Sequence, residues 1–256
     1  MAAIDTKSPR AVAAQIELSP IANMGANSGN SRTASLRILC PPLVGCRENA
    51  LMQTAKVNSM QKLIIATSNP HKVEEIAAVL GLLGIECTAL KRTDIPEPVE
   101  DGETFEANAR IKAVAYARAL GATVLADDSG LEVDALDGAP GVHSAYYAGV
   151  GATRVERDTA NNARLLKELV AVDDAQRGAR FVCVLCVADA SGSIIAQTRG
   201  HFEGRIGRVA RGSNGFGYDP LLVLEDGRTS AELASEEKNA RSHRGEALRK
   251  LAKLLG

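Results

Sequence analysis

A mixed α/β fold with a central, partly antiparallel sheet is predicted by three features of the chain. From residue 60 onward, short apolar runs of strand type alternate with longer segments of helical period. Two runs, RFVCVLCVADA and SIIAQTRGHFEG, flank Ser191-Gly192 and read as an antiparallel pair. The chain then closes in a long helical segment, so helices flank a sheet.

The elements follow in order. KLIIAT is a buried strand, and HKVEEIAAVLGLLG a helix with Val73, Ile76, Ala77, Leu80 and Leu83 on its core face. IECTAL is the second strand. TFEANARIKAVAYARALG is an alanine-rich helix stopped by Gly121. TVLAD and LEVDAL read as two strands separated by a turn at Ser129-Gly130. ERDTANNARLLKELV is a helix, the antiparallel pair follows, and SEEKNARSHRGEALRKLAKLL ends the chain as helix with a break near Ser242.

Composition excludes several classes. A net charge of −1 argues against a bulk nucleic-acid coat. Aromatic residues at 3%, with no Trp, offer no stacking platform for single strands. No apolar run reaches membrane-spanning length. Five scattered cysteines (Cys40, Cys46, Cys87, Cys183, Cys186) fit a reducing compartment, so a cytoplasmic location is expected. Cys183 and Cys186 sit three apart on a strand and point to opposite faces, so they share no metal or disulfide.

Residues 1–59 are rich in Ser, Asn, Gly and Ala without apolar period, and are expected to be a disordered or loosely attached extension. No continuous apolar core marks a secretory signal, while Lys7, Arg10, Arg32 and Arg37 outnumber Asp5 and Glu17, a balance compatible with a transit peptide. The folded unit is expected at residues 60–256.

Five segments carry candidate chemistry. ATSNPHK joins the first strand to the first helix. Asn69 suits the cap and Pro70 the first helical position. The free N–H groups there, with Lys72 and the side-chain donors of Thr67, Ser68 and Asn69, make a phosphate cradle, though the plain reading is a well-capped helix. PEPVEDGETFEANARIK crowds acids at a helix entry. Glu103 and Asp101 suit its first turn, and Glu100 or Glu97 is left for a metal. Asn108 and Lys112, four apart, share one face, which reads most plainly as solvated.

Asp127 and Asp128 read as a strand end whose side chains diverge, so that one of them enters a given pocket. Hard oxygen ligands there suit Mg²⁺. In ARGSNGFGYDP, glycines allow close approach to a flat ligand, and Phe216 offers a ring for stacking. Lys238, His243 and Arg244 form a basic group, plainly paired with Glu236 and Glu237 or, functionally, a set of donors to a base or phosphate.

The run from Met60 to Gly256 closely resembles the inosine/xanthosine triphosphate pyrophosphatases, the house-cleaning family acting on non-standard purine nucleotides. The resemblance lies in ATSNPHK, TFEANARIKA, LADDSGLEVDALDGAPGVHSA, GFGYDP and AELASEEKNARSHRGEAL. It implies an elongated two-lobed structure with a nucleotide cleft between the lobes and a homodimer, while the composition leads us to expect no membrane or nucleic-acid partner. The resemblance also implies Mg²⁺-dependent hydrolysis of ITP, dITP or XTP to the monophosphate and pyrophosphate.

Carried over by motif, Thr67, Ser68, Asn69, Pro70, His71 and Lys72 would hold the phosphates, and Lys112 would reach them. Asp128 would be proton acceptor and metal ligand, with Glu100 as second metal carboxylate and Ser129 beside the substrate. Phe216, Gly217, Tyr218 and Asp219 would contact base and sugar. Lys238, His243 and Arg244 would read the purine. The sequence departs from the family pattern at Tyr146, where an Arg is common, and at Ala210, where a Pro is common.

Overall fold

The computed structural model describes residues 62–91 and 94–255. The expected extension at 1–59, with Cys40 and Cys46, lies outside the described residues. The described chain runs β1 (Lys62–Ala66), α1 (Pro70–Leu82), β2 (Glu86–Ala89), α2 (Phe105–Leu120), β3 (Val124–Val133) and α3 (Arg154–Glu168). It continues through β4 (Gly178–Ala188), β5 (Ile194–Ile206), β6 (Leu222–Val223), α4 (Ser235–Arg241) and α5 (His243–Leu255).

The strands form one sheet in the order β2-β1-β3-β4-β5-β6. β2, β1 and β3 are parallel; β3 through β6 are antiparallel. The architecture is therefore mixed α/β with a mostly antiparallel sheet and flanking helices.

Each face of the sheet has its own cover. Ala109, Ala113 and Ala117 of α2 pack on Val124, Ala126, Val182, Val184 and Cys186. Small side chains let that helix lie close to the strands. On the other face, Ile76 and Leu80 of α1 and Leu248 and Leu251 of α5 cover Leu63, Ile65, Leu125, Cys183 and Leu185. Cys183 and Cys186 thus lie in different layers, and burial pushes their thiols up to about 12 and about 11. A third cluster at the far end of the long strands joins Leu131, Phe181 and Phe202 to Leu165 of α3 and to Leu169, which caps that helix.

Several helix ends follow the residues that define them. Asn69 caps α1 and Pro70 begins it. Gly121 closes α2 in the left-handed region at φ 59°. The extended backbone of Ser242 separates α4 from α5.

Four expectations are corrected. Ala77 and Leu83 are exposed, and Val79 packs partly into the core in their place, because α1 turns its 73-76-79-80 stripe to the sheet. TVLAD and LEVDAL are one continuous strand, so Asp127 and Asp128 are mid-strand, opposite Leu185 and Val184. Thr104 caps α2 and Glu106 occupies its first turn, leaving Glu103 outside the helix. Asn108 and Lys112 are buried, not solvated.

Candidate active site

β1 stops at Ala66, its last partner on β3 being Ala126. The edge of β3 is covered again from Gly130, where the turn Gly141–Tyr146 packs in and Ser144 Oγ accepts from the Leu131 N–H at 2.9 Å. A Cβ on Gly130 would stand 2.6 Å from the Gly141 carbonyl oxygen, so this approach needs glycine. Between those limits Asp127, Asp128 and Ser129 border a cavity of about 380 Å³. Both aspartates line it even though their side chains alternate, because it wraps around an uncovered strand edge. The expectation that one of them enters is corrected accordingly.

The start of α1 forms one wall. Asn69 Oδ1 accepts from the His71 N–H at 3.1 Å, and Thr67 Oγ1 accepts from the Asn69 N–H at 3.3 Å. Lys72 Nζ lies 3.0 Å from Asp127 Oδ2. The positive end of the helix and a full cation thus face the same space.

α2 supplies the second cation. Lys112 Nζ lies 2.8 Å from both Asp128 Oδ1 and Glu100 Oε2. One turn earlier, Asn108 Oδ1 accepts from the Gly102 N–H at 2.8 Å. That bond ties the acidic loop to the helix and holds Glu100 within reach of Lys112. Glu97 also lines the cavity.

The two aspartates differ in their hold on a proton. Burial raises Asp128 to about 6 against the pull of Lys112 and Lys72. Burial also works to raise Asp127, but Lys72, Arg244 and Lys112 outweigh it and hold that carboxyl well below the ordinary range. Burial works to lower Lys112, but Asp128, Asp127 and Glu100 hold it above its usual value.

A further wall, which meets the first turn of α1 at His71, is aromatic and hydrogen-bonding. Phe216 stacks on His71, with centroids 5.5 Å apart, and the Arg154 guanidinium lies 4.8 Å from its centroid. Asp219 Oδ2 accepts from the Phe216 N–H at 2.8 Å and from Lys238 Nζ at 2.7 Å. Arg244 donates to Glu75, to Ser129 Oγ at 3.1 Å and to Asp127 Oδ2 at 3.3 Å. His243 stacks on Phe181 with centroids 5.1 Å apart, and its burial holds the imidazole pKa well below 6.5.

Gly200 makes this wall buildable. A Cβ there would collide with the His243 carbonyl and stand 2.6 Å from the Ala247 nitrogen, so α5 seats its first turn directly on β5. The expected pairing of this basic group with Glu236 and Glu237 is corrected: Lys238 and Arg244 are buried and turn to Asp219, Glu75 and Asp127.

The predicted residues Thr67, Ser68, Asn69, Lys72, Glu100, Lys112, Asp128, Ser129, Phe216, Gly217, Tyr218, Asp219, Lys238, His243 and Arg244 all line the cavity. Pro70 and His71 do not. The first opens α1, and the second packs against Phe216.

Sequence reasoning missed Glu75, which pairs with both Lys238 and Arg244 from α1. It also missed Asn161, whose amide donates to the Ser144 and Ala145 carbonyls, and Asp158 and Asn162, which bond Gly217. Their only sequence signal is polarity on an amphipathic helix.

Seven buried side-chain polar atoms lack a hydrogen-bond partner among the described residues, and five belong to this cavity: Asn69 Nδ2, Asp127 Oδ1, Asp128 Oδ2, His243 Nδ1 and Arg244 Nε. Such groups are costly unless a ligand or water meets them. No group of three or more His, Cys, Asp or Glu residues among the described residues is arranged to hold a metal alone. Asp128, with a free Oδ2, and Glu100 nonetheless fit Mg²⁺, which uses one or two carboxylates and takes its other ligands from water and phosphate.

A cavity lined by Lys72, Lys112, the start of α1 and the Phe216 ring suits a polyanion that carries a flat group. Comparison with known proteins then places the molecule: the Ham1 family profile matches residues 63–254, and the chain belongs to that family.

A dITP/XTP pyrophosphatase of Exiguobacterium sp. (strain ATCC BAA-1283 / AT1b) is 53% identical over 192 residues, covering 74% of this chain and 94% of the relative. That of Bacillus subtilis (strain 168) is 46% identical over 198 residues, covering 77% and 98%. Among solved structures, a HAM1 protein from Coxiella burnetii superimposes with a TM-score of 0.68 at 41% identity, covering 77% of this chain and 98% of that one.

Proposed function

We propose that this chain hydrolyses ITP, dITP and XTP to the nucleoside monophosphate and pyrophosphate; the names of its relatives carry dITP, XTP and the pyrophosphatase reaction. The observation that carries the reading is the gathering of unpartnered buried donors and acceptors in one cavity whose lining also holds Lys72, Lys112 and the Phe216 ring.

In this reading the triphosphate lies against Thr67, Ser68 and the start of α1, with Asn69 Nδ2 donating to a phosphate oxygen. Lys72 and Lys112 stabilise the negative charge that grows in the transition state. Asp128 accepts a proton from the water that attacks the α-phosphorus. The new P–O bond forms to that water, and the bond to the pyrophosphate leaving group breaks. Asp128 and Glu100 would hold Mg²⁺, which when bound neutralises charge on the triphosphate oxygens.

Phe216 carries the purine, while Gly217, Tyr218 and Asp219 border base and sugar. Lys238, His243 and Arg244 present donors to a 6-keto oxygen. Adenine would set its amino group against those donors, and a buried unpaired polar group costs ~1–3 kcal/mol. We place the active unit at residues 60–256, as an elongated two-lobed body with the cavity between its lobes that works as a homodimer on cytoplasmic nucleotides. Among the described residues, no helix is long and apolar enough to cross a membrane.

The test is pyrophosphate release across a panel of ITP, dITP, XTP, ATP, UTP and dTTP, with and without Mg²⁺. The reading expects turnover of the first three, dependent on the metal. Equal turnover of ATP or preference for pyrimidines would contradict it.

A further inference from the structure

α3 grips the loop that carries Phe216. Asp158 Oδ2 accepts from the Gly217 N–H at 2.9 Å, and Asn162 Nδ2 donates to the Gly217 carbonyl at 3.0 Å. The two residues are four apart and so share one helix face. They take opposite ends of a single residue that sits at φ +63°, in the region glycine enters freely. On the other side, Asp219 Oδ2 fixes the Phe216 N–H at 2.8 Å.

We propose that Asp158 and Asn162 are positioning residues that set the pitch of the Phe216 ring by clamping the Gly217 backbone. The inference rests on the reading of Phe216 as the platform for the purine. One bond would tether the loop; two bonds to the amide and carbonyl of the same glycine also restrict rotation of the peptides on either side of it. The ring's backbone is then held from three directions, and a flat base meets a surface of fixed tilt.

α3 is rigid enough for the task. Thr153 and Glu156 close a capping box at its start, and Leu165 is fully buried. Arg154, one turn before Asp158 and 3.8 Å from it, reaches over the same ring. Asn161, next to Asn162, bonds the Ser144–Ala148 segment on the facing wall of the cavity. One helix therefore references two walls to each other. Asp158 and Asn162 are only partly buried, so their replacement leaves the core intact.

The test uses the full chain and steady-state hydrolysis of ITP. Asp158→Ala and Asn162→Ala should each raise KM about fivefold to tenfold, the range for a lost buried hydrogen bond, with kcat and melting temperature nearly unchanged. Asp158→Asn, which keeps an acceptor oxygen, should restore the wild-type KM. In a Phe216→Ala background the effects of both alanine variants should vanish, since the clamp acts through the ring.

Unchanged KM in the alanine variants, while Phe216→Ala raises it, would overturn the clamp and leave the platform standing. Unchanged KM in Phe216→Ala would overturn the platform, and the clamp with it. Loss of kcat in place of KM, or additivity with Phe216→Ala, would also overturn the clamp.

Discussion

Lys112 Nζ lies 2.8 Å from Asp128 Oδ1, and the same nitrogen lies 2.8 Å from Glu100. One buried ammonium therefore keeps two carboxylates, from a loop and from mid-strand, facing one cavity. Lys112→Met should leave them repelling each other and remove a cation from the triphosphate. Turnover of ITP should fall ~10²–10³-fold, the scale for losing one preorganised charge partner. Steady-state kinetics on protein with native circular dichroism checks this.

Asp127 plays a different part. Its Oδ2 meets Lys72, Arg244 and Ser129 together, so it ties the first turn of α1 to the first turn of α5. Asp127→Asn keeps the shape but leaves two cations short of a counter-charge, with Arg244 only 1% exposed. Unfolding in urea should show a loss of ~3–5 kcal/mol, the cost of breaking a buried pair from one side.

Much of this framework was legible in local sequence. Asn69-Pro70, Gly121, Ser191-Gly192 and Ser242 mark element boundaries because caps and turns depend on a residue and its near neighbours. Ser129-Gly130 misled for the same reason. It has the chemistry of a turn, yet the strand runs through it, since glycine is needed there to admit the Ser144 segment.

Burial of Asn108 and Lys112 was not legible, because their partners Gly102, Glu100 and Asp128 converge only in three dimensions. Glu75, Asp158 and Asn162 were invisible on the same ground. Each reads as an ordinary solvated helix residue until a segment 55 or more positions away arrives.

His243 gives a pH signature. In the folded chain, burial, then Arg244 and Lys238, hold its pKa well below 6.5, with Lys72 acting the same way and Asp127 opposing. The unfolded chain binds a proton below 6.5 that the folded one refuses, so this residue's contribution falls as pH drops below 6.5, by ~1.4 kcal/mol per pH unit. Asp128, raised to about 6 from 3.8, works in the opposite direction between those values, gaining stability for the fold as pH falls. The difference between wild type and His243→Gln cancels the Asp128 part. Urea melts in Mg²⁺-free buffer at pH 7.5 and 5.5 should show the variant gaining ~1.4 kcal/mol on the wild type over that interval. Parallel curves would remove His243 from this role.

Gly200 is the contact that lets α5 deliver His243 and Arg244. Gly200→Ala would drive a methyl into the first turn of α5, where the His243 carbonyl and Ala247 nitrogen stand. A stability loss of ~1–3 kcal/mol is expected for forced overpacking, together with a raised KM for ITP. Thermal melts and kinetics on the same preparation check both.

Asp128 is where the account is most exposed, since its Oδ2 is buried and unpartnered in a residue that lines the cavity. The direct measurement is pyrophosphate release from ITP by wild type and by Asp128→Asn, with ITP binding followed in parallel. Turnover should drop ~10²–10⁴-fold in the variant, the range for a lost general base, while ITP still binds. Wild-type turnover in Asp128→Asn would contradict the account.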